Sequence, residues 1–177
     1  MYTKEELAGM IDQSTSNLLQ MLSSIDEKEF NQRKNEAWSV ADVAEHLLSL
    51  ETQINLFIKE AHPTERAPDL KVEPVMHGLQ SFENRYNAPD FTLPSAEDKD
   101  KNKLMNGLQE QRDILRQIIL TTDITETVNQ KHPVIGSMTR LEWACFNIHH
   151  TDRHLQQIRN ILAALKDQSI QTESLNS

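Results

Sequence analysis

Residues 139–158 read TRLEWACFNIHHTDRHLQQI. The stretch opens on Thr139 with Glu142 three positions later. In such a capping box the hydroxyl accepts the backbone N–H of the third helical residue, and the acid reaches back to the cap N–H. Behind the box, Leu141, Phe146, Leu155, Ile158, Ile161, Leu162 and Leu165 recur at helical spacing. The same box occurs three more times, as TKEE (Thr3, Glu6), SVAD (Ser39, Asp42) and SAED (Ser95, Asp98). Each precedes another amphipathic run. The first carries Leu7, Ile11, Ser14, Leu18, Met21, Leu22 and Ile25, and the second Val43, Leu47, Leu50, Ile54, Phe57 and Ile58. The third carries Leu104, Leu108, Leu115, Ile118 and Ile119. Four such helices without strand alternation predict an all-α fold, a four-helix bundle.

The connections are uneven. Residues 62–94 form a long crossover between the second and third long helices, with prolines at 63, 68, 74, 89 and 94. PVMHGLQSFENRYN within it predicts at least a helical turn, with Pro74 at its start. A link of this length also lets sequential helices run parallel. The expected organisation is a single domain over residues 1–166, followed by a polar, frayed tail over 167–177. DEKEF and EDKDKNK read as solvated charge.

Composition narrows the function. A formal net charge of -9 repels phosphate backbones and no basic cluster offsets it, which argues against nucleic acid as a partner. Four glycines leave little material for Gly-rich phosphate loops. No apolar run approaches the ~20 residues of a membrane span, and the start MYTKEELAGMIDQ lacks the features of a signal peptide. With a single cysteine, Cys145, no internal disulfide is available, which suits a cytoplasmic location.

Seven histidines are present, three of them within HHTDRH at 149–154. Positions four apart on a helix lie about 40° apart in azimuth and share a face. His150 and His154 are such a pair, and their row continues to Phe146 and Ile158, which points it inward. His149 and Arg153 fall on the flanking row. In WSVADVAEHLLSLE, His46 borders an apolar stripe in the second turn of its helix. Three imidazoles from two facing helices would leave a coordination position open, the mark of a catalytic rather than a structural metal site. The plainer reading is a set of core histidines, because H-x-x-x-H spacing alone is common. His62, His77 and His132 lie beside proline or glycine and read as solvated loop residues.

The segment GSMTRLEWACFNIHHTDRHLQQI resembles the last-helix signature of the DinB-like superfamily of metal-binding four-helix proteins. The matching residues are Gly136, Thr139, Glu142, Trp143, Phe146, His150, Arg153, His154, Leu155, Gln157 and Ile158. AWSVADVAEHLLSLE resembles the family's second-helix signature through Trp38, Ser39, His46 and Leu47, and APDFTLP is similar to its second DinB-like subgroup. The resemblance implies a divalent metal on His46, His150 and His154, the same three residues that the face argument singles out. It leaves His149 outside. Several members of the family use low-molecular-weight thiols such as bacillithiol, mycothiol or glutathione, and members are often dimers.

The expectation is therefore a metal-dependent S-transferase acting on a small thiol and a small electrophile. Coordination at the open position would hold the sulfur as its nucleophilic thiolate. The catalytic residues beyond the metal are unassigned, and zinc, nickel and iron are the leading ions because imidazole suits each. The alternatives are a metal-dependent hydrolase acting through activated water, a non-catalytic metal-binding stress-response module, and a plain bundle with core histidines. Gln157 is either an orienting group or a core-edge amide. Cys145, on an apolar stretch, reads as a buried small hydrophobe rather than a nucleophile. Trp38 and Trp143, each beside a cap box, read as packing residues.

Overall fold

The structure, a computed structural model, describes residues 1–81 and 90–175, with side chains through Asp167. Four long helices dominate: α1 (Lys4–Ser23), α3 (Val40–Phe57), α5 (Lys101–Thr121) and α6 (Arg140–Leu175). The short helices α2 (Glu27–Asn31) and α4 (Val72–Gln80) and a 3₁₀ turn at Asp90–Thr92 occupy the connections. Strand β1 (Ala61–His62) pairs antiparallel with β2 (Thr127–Val128), an element that the sequence reading did not anticipate.

Three of the four expected capping boxes start helices. Thr3 and Glu6 cap α1, Ser39 and Asp42 cap α3, and Thr139 and Glu142 exchange the two box bonds at the start of α6. The fourth is a correction. α5 starts at Lys101, where the Asp100 carboxylate accepts the Lys103 N–H at 2.9 Å. Ser95 is drawn off instead to Glu45 of α3, donating its backbone N–H at 2.8 Å. The DEKEF stretch is also more than solvated charge. Asp26 caps α2, and Phe30 is fully buried in the core. The helical turn expected after Pro74 is present as α4, which begins two residues earlier; Phe82 to Asn87 of that expectation lie outside the described residues. The backbone of α6 stays helical to Leu175, through the stretch expected to fray. Residues 140–177 contain neither glycine nor proline, so nothing in the covalent chain stops the helix.

Around the bundle the order is α1, α5, α3, α6, with α1 and α3 on one diagonal. Lys99, just ahead of α5, reaches Asp42, Gly107 faces Leu48, and Asn55 bonds Gln111, so α3 and α5 run parallel. Arg116 pairs with Asp12 while Lys101 bonds the carbonyls of Ser23 and Ile25, so α1 and α5 are antiparallel. His46 meets His154 while Arg140 bonds the Ile58 carbonyl, so α3 and α6 are antiparallel. The long crossover is what permits the parallel neighbours. Part of it packs, since Val75 and Leu79 of α4 join the core beside α6.

The core is two apolar clusters with a polar layer between them. One contains Leu7, Ile11, Ile54, Leu115, Leu141 and Trp143; the other contains Leu18, Leu47, Leu108, Leu155 and Ile158. Between them Arg112 binds Glu51 through two nitrogens, at 3.1 and 2.5 Å, and donates to Thr151 at 2.7 Å and Ser14 at 3.2 Å. One guanidinium thus joins all four long helices. Among the described residues, no helix is long and apolar enough to cross a membrane.

Candidate metal centre

α6 carries His150 and His154 one turn apart, and their Nε2 atoms lie 3.1 Å from each other. His46 comes from the second turn of α3. Its ring centroid is 4.9 Å from that of His154 and 5.4 Å from that of His150. One ring nitrogen from each of the three falls within 4.8 Å of the others. The Ser39–Asp42 box, with Arg33 and Lys99 on Asp42, fixes where α3 begins and hence where His46 emerges. Asp42 is buried, which opposes ionisation. Hydrogen bonds from Arg33, Lys99 and Ser39 outweigh that and hold its pKa well below the usual range.

The outer nitrogens of two rings are tied down. His46 Nδ1 lies 3.0 Å from the Thr92 carbonyl, which can only accept, so Nδ1 carries the proton and Nε2 keeps its lone pair. His154 Nδ1 lies 2.8 Å from Gln157 Oε1, with the same consequence. Such partners are what orient metal-ligating imidazoles.

Burial keeps all three rings neutral. It lowers the pKa of His46, lowers that of His150 well below normal, and takes His154 to about 3, with His46 adding repulsion at the last. Neutral imidazole is the form that binds a metal. Two nitrogens on one ion at ~2.1 Å stand roughly 2.9–3.4 Å apart, depending on the angle between them. The 3.1 Å separation of the α6 pair falls inside that range. The α6 pair is thus spaced for one divalent ion, and the His46 imidazole, of the same donor chemistry, lies within 4.8 Å of both.

The surroundings are aromatic. Trp38 packs on His46 at 5.3 Å, so it lines the site as well as the core. Phe146 stacks on His150 with ring planes 17° apart. His132 departs from the solvated reading given to it above. Its ring lies 5.0 Å from Phe146 and 5.7 Å from Trp143, and burial lowers its pKa. The turn that places it there closes through mutual backbone bonds between His132 and Gly136, with Gly136 at φ +77°, a conformation suited to glycine. His62 and His77 are exposed, as expected, but they lie on β1 and α4 rather than in loops. His149 stays on the flank, 3.6 Å from Asp152. Arg153 donates to the carbonyls of Leu79 and Ser81 at the end of α4. Cys145 is fully buried, and burial pushes its thiol up to about 12.

A family model of the DinB superfamily matches residues 10–158. The chain belongs to the DinB superfamily. It is 26% identical over 149 residues to the uncharacterized protein YuaE of Bacillus subtilis (strain 168), covering 79% of this chain and 87% of that one. In structure it is similar to YfiT from Bacillus subtilis, described as "a probable metal-dependent hydrolase with an unusual four-helix bundle topology". That superposition has a TM-score of 0.58 at 16% identity and covers 92% of this chain and 87% of YfiT. At this identity the likeness establishes a shared fold. The parallel α3/α5 and α1/α6 pairs of the DinB-superfamily chain depart from a simple up-and-down bundle.

Proposed function

We propose that the protein is a metal-dependent enzyme that transfers a low-molecular-weight thiol to a small electrophile, on a divalent ion held by His46, His150 and His154. The observation that carries this reading is the convergence of three neutral imidazoles from α3 and α6, two of them fixed with Nε2 directed away from their hydrogen-bonded nitrogens. An ion bound there supplies Lewis acidity that stabilises the ionised form of a nucleophile at an open coordination position. The three histidines act as ligands and not as proton shuttles, because burial keeps them neutral. The cluster contains only neutral imidazoles, so an ion held by His46, His150 and His154 would keep its full dipositive charge. Trp38 and Phe146 present apolar surface beside the ligands. In the transfer, the sulfur lone pair forms the new S–C bond, the electrophile's leaving group departs with its bonding pair, and the thiol proton passes to solvent.

Hydrolysis is the second reading, favoured by the structural similarity to YfiT with its description as a probable metal-dependent hydrolase. A panel of electrophiles assayed with and without small thiols separates the two. Consumption that requires the thiol supports transfer, and turnover without it supports hydrolysis. Metal retention without either reaction favours a binding module.

A further inference from the structure

We infer that Gln157 is a positioning residue for this site: its amide oxygen holds His154 as the Nδ1-protonated tautomer and leaves the Nε2 lone pair for the ion. The inference rests on the metal reading above. His154 Nδ1 and Gln157 Oε1 are 2.8 Å apart, three residues apart on α6, where side chains on adjacent turns meet. An amide oxygen only accepts, so the ring nitrogen facing it must donate. The reversed amide would present N–H groups to Nδ1 and send the ring proton to Nε2. That proton would stand between His154 and His150, whose Nε2 atoms are 3.1 Å apart, and would block the nitrogen that the ion needs.

The three rings are supported unequally. His46 is oriented by the Thr92 backbone carbonyl, which no side-chain substitution removes. His150 is in ring contact with Phe146 and His46, and among the described residues its hydrogen bond is the one to His154. Gln157 is therefore the side chain whose replacement changes the tautomer preference of a ligand without touching any ligand. Its neighbour Gln156 does not substitute for it, because that amide is bonded to Asn160 on the outer face. The support is also neutral. An acid at 157 would strengthen the acceptor and make His154 a more basic ligand.

The test compares wild type, Gln157→Met and Gln157→Glu by zinc titration against a chromophoric chelator. Nitrogen-15 shifts of His154 are read in the metal-free proteins, and circular dichroism checks the fold. The expected result is an Nδ1-protonated His154 in wild type. Gln157→Met should lose roughly 10- to 100-fold in zinc affinity and give a mixture of tautomers, while Gln157→Glu binds zinc at least as tightly as wild type. A folded Gln157→Met that matches wild type in zinc affinity, or a wild-type His154 protonated at Nε2, overturns the inference. A wild type that fails to bind zinc while His154 is Nδ1-protonated, with that preference lost in Gln157→Met, upholds the positioning role and sinks the metal reading instead.

Discussion

Arg112 and Glu51 form a bidentate ion pair in the centre of the bundle, with their side chains 2% and 3% exposed. Burial raises the Glu51 pKa and the Arg112 charge opposes it. Removing one partner leaves the other charge buried and unpaired, at a cost of roughly 3–5 kcal/mol. Arg112→Met and Glu51→Leu should each lower the unfolding free energy measured in urea by that order, and the double variant should recover much of the loss. If the two single losses simply add, the pair is not the coupled unit described here.

The metal reading stands or falls on the ligands. Wild type purified without chelator should carry close to one divalent ion per chain by elemental analysis. His46→Ala and His154→Ala should each lose most of it while keeping wild-type helicity. Metal retained in both variants would mean that the ion sits elsewhere.

Acid should destabilise the metal-free protein in two stages. His154 has a folded pKa of about 3 against an ordinary value near 6.5, so between those values the unfolded chain binds more protons. Stability then falls as pH drops below about 6.5. Asp42 has a depressed folded pKa, so its contribution is complete above its unfolded value of about 3.9 and is lost as pH falls below that. Chemical denaturation from pH 8 to 3 should show the loss steepening below about 3.9, and Asp42→Asn should make that lower part shallower. A stability flat from pH 7 to 5 would contradict the neutral, buried state of the histidine cluster.

Cys145 should be a bystander in any thiol chemistry. A buried thiol with its pKa near 12 is almost entirely protonated at neutral pH. A thiol-reactive chromophore should label the native protein at least tenfold more slowly than the unfolded chain, in which the residue has an ordinary pKa near 8.5. Cys145→Ala should keep turnover within about threefold of wild type. Loss of activity with the fold and metal intact would place the thiol in the reaction.

The all-α bundle and the inward row of His150 and His154 were legible in the sequence because both rest on local periodicity, while the grouping of His46 with them as ligands came from the family resemblance. A 3.6-residue repeat sets which side chains share a face, so the row through Phe146, His150, His154 and Ile158 had to turn inward once α6 packed. Capping chemistry marked three helix starts for the same reason. What the local pattern left open was pairing. Arg112 occupies a stripe position between Leu108 and Leu115, which hints at a buried charge, but Glu51, Ser14 and Thr151 become its partners only when four helices meet. Ser95 offered a plausible cap, and the tertiary contact with Glu45 took it away. The parallel course of α3 and α5, the placement of His132 on Phe146, and the carbonyl of Thr92 behind His46 all join residues far apart in the chain. Helical spacing carries no information about which distant segment will arrive, so those relationships belong to the folded molecule alone.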